Sequence, residues 1–284
     1  MSTQDFPTPS REFRYYGVRP AWQWIDLAEV WRFRELIWMF ALRDLKVRYR
    51  QTVVGIAWAV LQPLATMVIF WVLFQLLRGK PTASGLPYAV TSLCGLLPWQ
   101  FFAASVTNAT LSLVENQNLI QKVYFPRVIL PVSSMIPALV DFCFAFVLLI
   151  GLMFFYGVAP TWTVVLLPFF LLLGFITALA VAMWLSALNA IYRDIQYVVP
   201  FVMQIGMFIS PVVYEMDAAI PQNWQWLYSL NPMVSVLEGF RWTLLGMQPP
   251  ALGPMLVSFA GVALVFVSGT FYFRRMERFF SDRI

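Results

Sequence analysis

Charged side chains in this chain fall in blocks, and long apolar runs lie between them. Residues 51–77 carry no charge, and neither do 81–114, 142–192 or 242–273. A transmembrane helix needs about 20 mostly apolar residues, so the alternation predicts membrane spans. Drawn from the apolar runs and the charge gaps, six spans cover about 53–77, 89–112, 128–156, 162–188, 197–214 and 252–273. The third and fourth are long for a hydrocarbon core of about 30 Å, which predicts tilting or a kink. Pro63, Pro98, Pro131, Pro137, Pro168 and Pro200 lie within spans or at their ends. Such prolines are tolerated where neighbouring helices or water satisfy the carbonyls they free.

Two regions break this rhythm. In WQWIDLAEVWRFRELIWMFALRDL, Trp24, Trp31 and Trp38 recur every seven residues, which is two helical turns, while Asp26, Glu29 and Arg32 follow one another at intervals of three on another side. This predicts an amphipathic helix lying in the interface with its Trp stripe toward lipid, or packed on a partner protein. The following RDLKVRYR places Arg43, Lys46, Arg48 and Arg50 at the foot of the first span, as a cytoplasmic anchor beside anionic headgroups. The second region is 215–250, whose apolar runs are too short to span and are broken by Pro221, Pro232, Pro249 and Pro250. It reads as two short re-entrant or interfacial helices on the outer side, with Glu238 and Arg241 spaced to pair across one turn.

Composition narrows the class. Of 284 residues, 60% are hydrophobic and 12% charged, against about 45–50% and about 25% in soluble domains. So few charges cannot cover a globule, and most of the surface must face lipid. Placing both termini in the cytoplasm puts 16 of the 19 Lys and Arg inside and leaves Arg78, Lys80 and Arg241 outside. The first fifty residues lack the apolar core of a cleavable signal, so the first span is expected to be retained. The expected organisation is all-α: a flexible leader over 1–20, a cytoplasmic interface helix and basic patch over 21–52, and a six-helix transmembrane domain over 53–284.

Candidate chemistry is sparse. There is no histidine, which excludes His-based acid–base catalysis and His-ligated metal sites. Cys94 and Cys143 both fall in apolar stretches and read as buried small hydrophobes. No P-loop occurs; Gly79-Lys80 is followed by Pro81. Asp141 is the one carboxylate inside a span, and such groups are expensive. No Lys or Arg within a span offers itself as partner, so a hydrogen bond to Ser, Asn or Gln of a neighbouring helix, a protonated side chain or a direct transport role is expected. On the first span, Gly55, Ala59, Gln62, Thr66 and Phe70 share one face, and on the second Gln100, Ala104, Asn108 and Ser112 share another. Each stripe suits either close helix packing or the wall of a path. Aromatic side chains make up 17% of the chain; a membrane-interface belt accounts for most of them, but aromatic faces beside Asn and Gln also suit sugar rings.

RDLKVRYRQTVVGIAWAVLQPL, then LCGLLPWQFFAASVTNATLSLVENQNLIQKVYFPRVILPVSS, then NAIYRDIQYVVPFVMQIGMFISPVVY and LNPMVSVLEGFRW resemble the permease subunit of type-2 ATP-binding-cassette polysaccharide exporters. The likeness is closest to O-antigen export permeases and covers roughly 35–280; capsule and teichoic acid exporters are relatives. The resemblance implies a homodimer in the bacterial inner membrane, with a channel between two copies and a separate ATPase dimer beneath. That ATPase would bind ATP and Mg; this chain would hold no cofactor or metal, would not be an enzyme and would bind no nucleic acid. The substrate implied is a lipid-linked polysaccharide.

Carried over residue by residue, the resemblance places the ATPase contact on Trp31, Arg34, Glu115, Asn118, Leu119, Gln121, Lys122 and Tyr124. It implies a translocation path along Trp58, Gln62, Thr66, Phe70, Trp71, Phe74, Trp99, Phe102, Asn108 and Tyr214, and an outer cap over 218–246. Pro63 would bend the first span and, with Gln62, offer the Ala59 carbonyl and an amide to a passing glycan. Rival readings are a type-2 permease for a drug or smaller lipid, and a membrane enzyme acting on lipid-linked sugars. The enzyme would need clustered acids or histidines near one membrane face, where only Glu215 and Asp217 occur as a pair.

Overall fold

The structure is a computed structural model that describes residues 27–50, 55–78, 85–215 and 221–283. The expected leader over 1–20, together with Trp24 and Asp26, lies outside the described residues. Among those described, every regular element is helical. The order is α1 (Leu27–Arg32), α2 (Arg34–Tyr49), α3 (Ala57–Arg78), α4 (Tyr88–Glu115), α5 (Gln117–Ile120) and α6 (Ile129–Phe155). A 3-10 turn at Trp162–Leu166 then leads into α7 (Leu167–Asn189), followed by α8 (Ile195–Ile209), α9 (Gln222–Tyr228), α10 (Pro232–Leu245) and α11 (Leu252–Arg283).

Among the described residues, four helical stretches are long and apolar enough to cross a bilayer: α4, α6, Trp162–Asn189 and Leu252–Glu277. Two shorter apolar stretches, Ala57–Leu73 of α3 and the whole of α8, stand where the first and fifth spans are expected. Pro63, Pro98, Pro137 and Pro200 sit inside helices that continue past them, and Pro168 occupies the first turn of α7, where no intrahelical N–H is needed.

The bundle is built around α4, which is mostly apolar, carries one polar stripe and is buried along most of its length. It packs against α3, α6, α7, α8 and α10. Phe101 shows how it is held, with the Phe142 ring 6.0 Å away edge-on and the Phe175 ring stacked at 6.4 Å. Small residues set the closest helix approaches, as expected where lipid supplies no hydrophobic drive between helices. Gly269 of α11 leaves no room for a side chain beside the Ala180 carbonyl of α7. One turn away Trp184 stacks on Tyr272 at 4.3 Å and donates its indole N–H to Ser268 at 3.2 Å.

The region expected to cap the outer side divides in two. Helix α9 keeps Trp224 and Trp226 exposed, whereas α10 is buried against α4 and α7. The ends of α10 are well specified. Asn231 accepts a bond from the Met233 N–H, Pro232 starts the helix, and Gly246 closes it at φ +64°. The expected Glu238–Arg241 pair is formed at 3.0 Å. Arg241 is only 1% exposed and also donates to the Val212 carbonyl at 2.8 Å. A buried guanidinium is tolerable because these acceptors replace lost water.

A second apolar cluster lies at the opposite, basic end. Phe40 of α2, Ile120, Phe125, Ile129 of α6, Met183 of α7 and Phe273 and Phe280 of α11 pack together there. Arg127 ties the same end by donating to the Glu277 carbonyl, with its guanidinium 5.8 Å over the Phe280 ring. The expectation of two buried cysteines holds for Cys94 only; Cys143 is exposed on the outward face of α6, where lipid can take the place of protein.

A Cβ at Gly95 would collide with the Val212 carbonyl oxygen and the Arg241 guanidinium. Gly95→Ala is expected to destabilise the protein by about 1–3 kcal/mol or more. Gly151→Ala, where a Cβ meets nothing within 4 Å, serves as control. Melting of the purified variants checks this, and equal midpoints would contradict the packing.

Candidate functional site

Asp141 lies twelve residues into α6, about 18 Å along its axis, well inside a hydrocarbon core of about 30 Å. A lone carboxylate there would be costly. The structure neutralises it from α2: Arg48 Nη2 stands 2.7 Å from Asp141 Oδ2, and the Tyr49 hydroxyl donates to Oδ1. Burial first, and then the bond to Asp141, raises the Tyr49 phenol above its ordinary 10.0, so it stays protonated and able to donate. The expected Ser, Asn or Gln partner is thus replaced by a cation and a phenol from outside the spans.

The path of α2 explains this. Phe40 lies beside Phe125, ring centroids 6.1 Å apart, just ahead of α6, while Arg48 and Tyr49 reach the middle of α6. The two helices run side by side in the same direction. The basic patch is therefore not wholly a headgroup anchor. Arg48 is drawn to Asp141, and Arg43 donates to Asn116 Oδ1 at 2.8 Å and pairs with Asp44 at 2.9 Å. Acceptors fixed in the bundle hold these two cations.

Among the described residues, two cavities flank Arg48. The first, of about 260 Å³, is walled by Arg48 and Tyr49, by Gly55, Trp58, Ala59, Gln62 and Pro63, by Leu97, Gln100, Phe101 and Ala104 of α4, and by Ala138, Asp141, Phe142 and Ala145 of α6. The second, of about 510 Å³, is walled by Arg43, Asp44, Val47 and Arg48 of α2, by Asn108, Leu111, Glu115 and Asn116, and by Ser134 and Pro137. The polar stripe of α4 is thereby shared out, with Gln100 and Ala104 in the first cavity and Asn108 in the second. Ser112 is buried and donates to the Ala109 carbonyl at 2.7 Å.

Of the residues expected along a path, Trp58 and Gln62 meet in the first cavity and Asn108 lines the second. Thr66 turns its hydroxyl to the Gln62 carbonyl at 2.8 Å. Trp71 is exposed, whereas Phe70 is buried with its ring 6.0 Å from Phe208. Trp99 and Phe102 do not face an open path in this chain: both are buried, 5.5 Å apart, with Trp99 against Gly206 of α8. Tyr214 donates to the Ile209 carbonyl at 3.1 Å. The side chain of Phe74 lies outside the described residues. Arg48 and Tyr49 were absent from the expected path, since no local spacing aims them at Asp141.

The residues expected to meet an ATPase cluster at the basic end. Trp31 and Arg34 are exposed, the guanidinium 5.9 Å from the indole ring. Asn118, Gln121, Lys122 and Tyr124 are exposed, Leu119 is half-buried, and a hollow of about 250 Å³ runs from Ile120 to Arg127. Glu115, exposed at the end of α4, lines the second cavity. Leu36 and Ile37 of α2 pack with Leu119 in the second apolar cluster, which joins the two segments. Groups of three or more acids or cysteines fit to hold a metal ion are absent among the described residues.

Comparison with known proteins places this arrangement. The family profile described as ABC-2 type transporter matches residues 35–245, from α2 to the end of α10, and so includes both cavities and Arg241. The chain is 30% identical over 253 residues to the O-antigen export system permease protein RfbA of Myxococcus xanthus, covering 88% of this chain and 96% of that protein. It is 29% identical over 208 residues to the protein of the same name from Klebsiella pneumoniae, covering 73% and 79%. It is 25% identical over 212 residues to the polysialic acid transport protein KpsM of Escherichia coli, covering 69% and 76%.

If Arg48 and Asp141 depend on each other, their substitutions must be non-additive. Arg48→Met or Asp141→Leu alone is expected to lower the melting midpoint, and the double substitution to recover more than half of the larger loss, because removing both charges leaves neither without its partner at the half-buried Asp141. Additive losses would show that the pair carries no coupling.

Proposed function

The chain belongs to the ABC-2 type transporter family, and from that premise we propose that it is the permease subunit of an exporter that carries a lipid-linked polysaccharide of the O-antigen type across the bacterial inner membrane. The observation that carries this reading is the similarity to the Myxococcus xanthus O-antigen permease over nearly the full length of both proteins. An apolar bundle with polar cavities set into it, and a sequence with neither P-loop nor histidine, supports a transport role with ATP hydrolysis on a separate subunit.

In this reading two copies stand side by side with both termini in the cytoplasm. Six helices of each cross the membrane, α3 and α8 among them, and α9 with α10 forms the outer closure. ATP-driven closure of a partner ATPase dimer pushes on the exposed surface from Asn118 to Tyr124 and on Trp31 and Arg34. The shared packing of Phe40, Ile120 and Phe125 with Ile129 would carry that push to α6. The chain itself makes and breaks no covalent bond and holds no cofactor; ATP and Mg are bound by the partner.

Deletion of the gene in its host is expected to remove a surface polysaccharide while lipid-linked polymer builds up inside. Unchanged surface glycan would move the reading to a drug or smaller-lipid permease, and loss without build-up would favour a membrane enzyme. For the docking surface, Lys122→Glu or Tyr124→Ala is expected to cut co-purification of the ATPase about tenfold, the scale of one contact of about 1.4 kcal/mol. Undiminished recovery with either variant would exclude this surface.

A further inference from the structure

The first cavity, open to the surface of the chain at Trp58 and Gln62, holds an unusual mixture for a membrane helix bundle. Trp58 offers an indole face and Phe101 and Phe142 add apolar wall, while Gln62 and Gln100 bring two amides. Each amide has two donors and an acceptor, which matches the mixed donor–acceptor pattern of hydroxyl groups. Pro63, on the same wall as Ala59, leaves the Ala59 carbonyl without its helical N–H partner, adding an acceptor.

Charge selects further. Among the described residues on the wall the only charge-bearing side chains are Arg48 and Asp141, paired at 2.7 Å. An anion such as a diphosphate meets a pair of no net charge: what it gains from the remaining N–H groups of Arg48 is opposed by the Asp141 carboxylate beside them. An uncharged polyol meets no such opposition and can hydrogen-bond to the pair as it stands. The volume of about 260 Å³ falls just below the range of drug-sized pockets, about 300–1,000 Å³, and suits a single ring.

We propose that this cavity, between α2, α3, α4 and α6 of one chain, is a binding site for one uncharged pyranose unit, seated on Trp58 and hydrogen-bonded by Gln62 and Gln100. The site rests on the export reading above, since it names the piece of substrate that the chain would hold. Trp58 supplies the apolar platform, the amides read hydroxyls, and the Arg48–Asp141 pair closes the end of the cavity nearest the second one. A single such site is weak, as a carrier of a moving polymer must be: it holds a unit without trapping the chain.

The test uses the full chain in lipid nanodiscs free of sugar detergents, with whatever partners co-purify. Saturation-transfer NMR is recorded with the methyl glycosides of glucose, galactose, mannose and rhamnose, with inorganic pyrophosphate as competitor. Trp58 and Gln62 are exposed on this chain, so Trp58→Ala and Gln62→Leu are expected to leave the melting midpoint unchanged. Transfer to at least one glycoside is expected, resistant to pyrophosphate, weakened about fivefold by loss of a hydrogen bond in Gln62→Leu, and retained in Trp58→Phe but not in Trp58→Ala. Absence of transfer with all four glycosides, undiminished transfer in Trp58→Ala and Gln62→Leu, or displacement by pyrophosphate overturns the proposal. The gene deletion judges export independently. Surface glycan lost on deletion, with no binding at this cavity, removes the site and leaves export standing; surface glycan unchanged, with binding present, does the reverse.

Discussion

A carboxylate halfway along an apolar helix has to be answered by a positive charge or by a proton. In this chain Arg48 answers Asp141, and that one requirement dictates where α2 lies. A helix with so many charges would otherwise settle flat among headgroups. Instead its second half runs along α6 until Arg48 and Tyr49 meet the acid. Its first half is then carried past the start of α6, where Phe40 enters the apolar cluster with Ile120, Phe125 and Phe280. The two polar cavities lie on either side of the same arginine because α2 stands off α3 and α4 there.

Helix α4 distributes the consequences. Its Gly95 yields space to Arg241 and the Val212 carbonyl, its Phe101 is held between Phe142 and Phe175, and Gln100, Asn108 and Glu115 face the cavities. A displacement of α4 or α6 would be felt at both ends of the bundle: at Arg241, where the guanidinium bridges α10 to the segment after α8, and at Asn116, where Arg43 is held. Close packing and paired charges leave few intermediate positions for such elements, so rearrangement between discrete states is the natural response to a push at the basic end.

Much of this was legible along the chain. Apolar runs and charge gaps marked the helices because the hydrocarbon core demands length and low polarity from each span separately. The Glu238–Arg241 pair could be read from its spacing, since helical geometry alone brings positions three apart together. The face shared by Gly55, Ala59 and Gln62 was also legible, and these three meet at one cavity. The profile of an ordered set of motifs pointed to the permease family that the comparisons bear out.

What local pattern could not reveal was which faces meet. Trp99 and Phe102 look like the start of an aromatic wall, yet α8 and the core cover them. Cys143 looks buried and faces outward. Asp141 looks unpartnered because its arginine lies outside the spans and far off in sequence, in a segment whose composition reads as a surface anchor. The sequence by itself determined the helices and their apolar character, because these follow from spacing and composition within single segments, and its ordered motifs carried the resemblance to the family. Only the tertiary structure decided that Arg48 meets Asp141, that α10 is buried and that a polar cavity opens beside Gln62, because desolvation and packing are settled between segments that no short period connects.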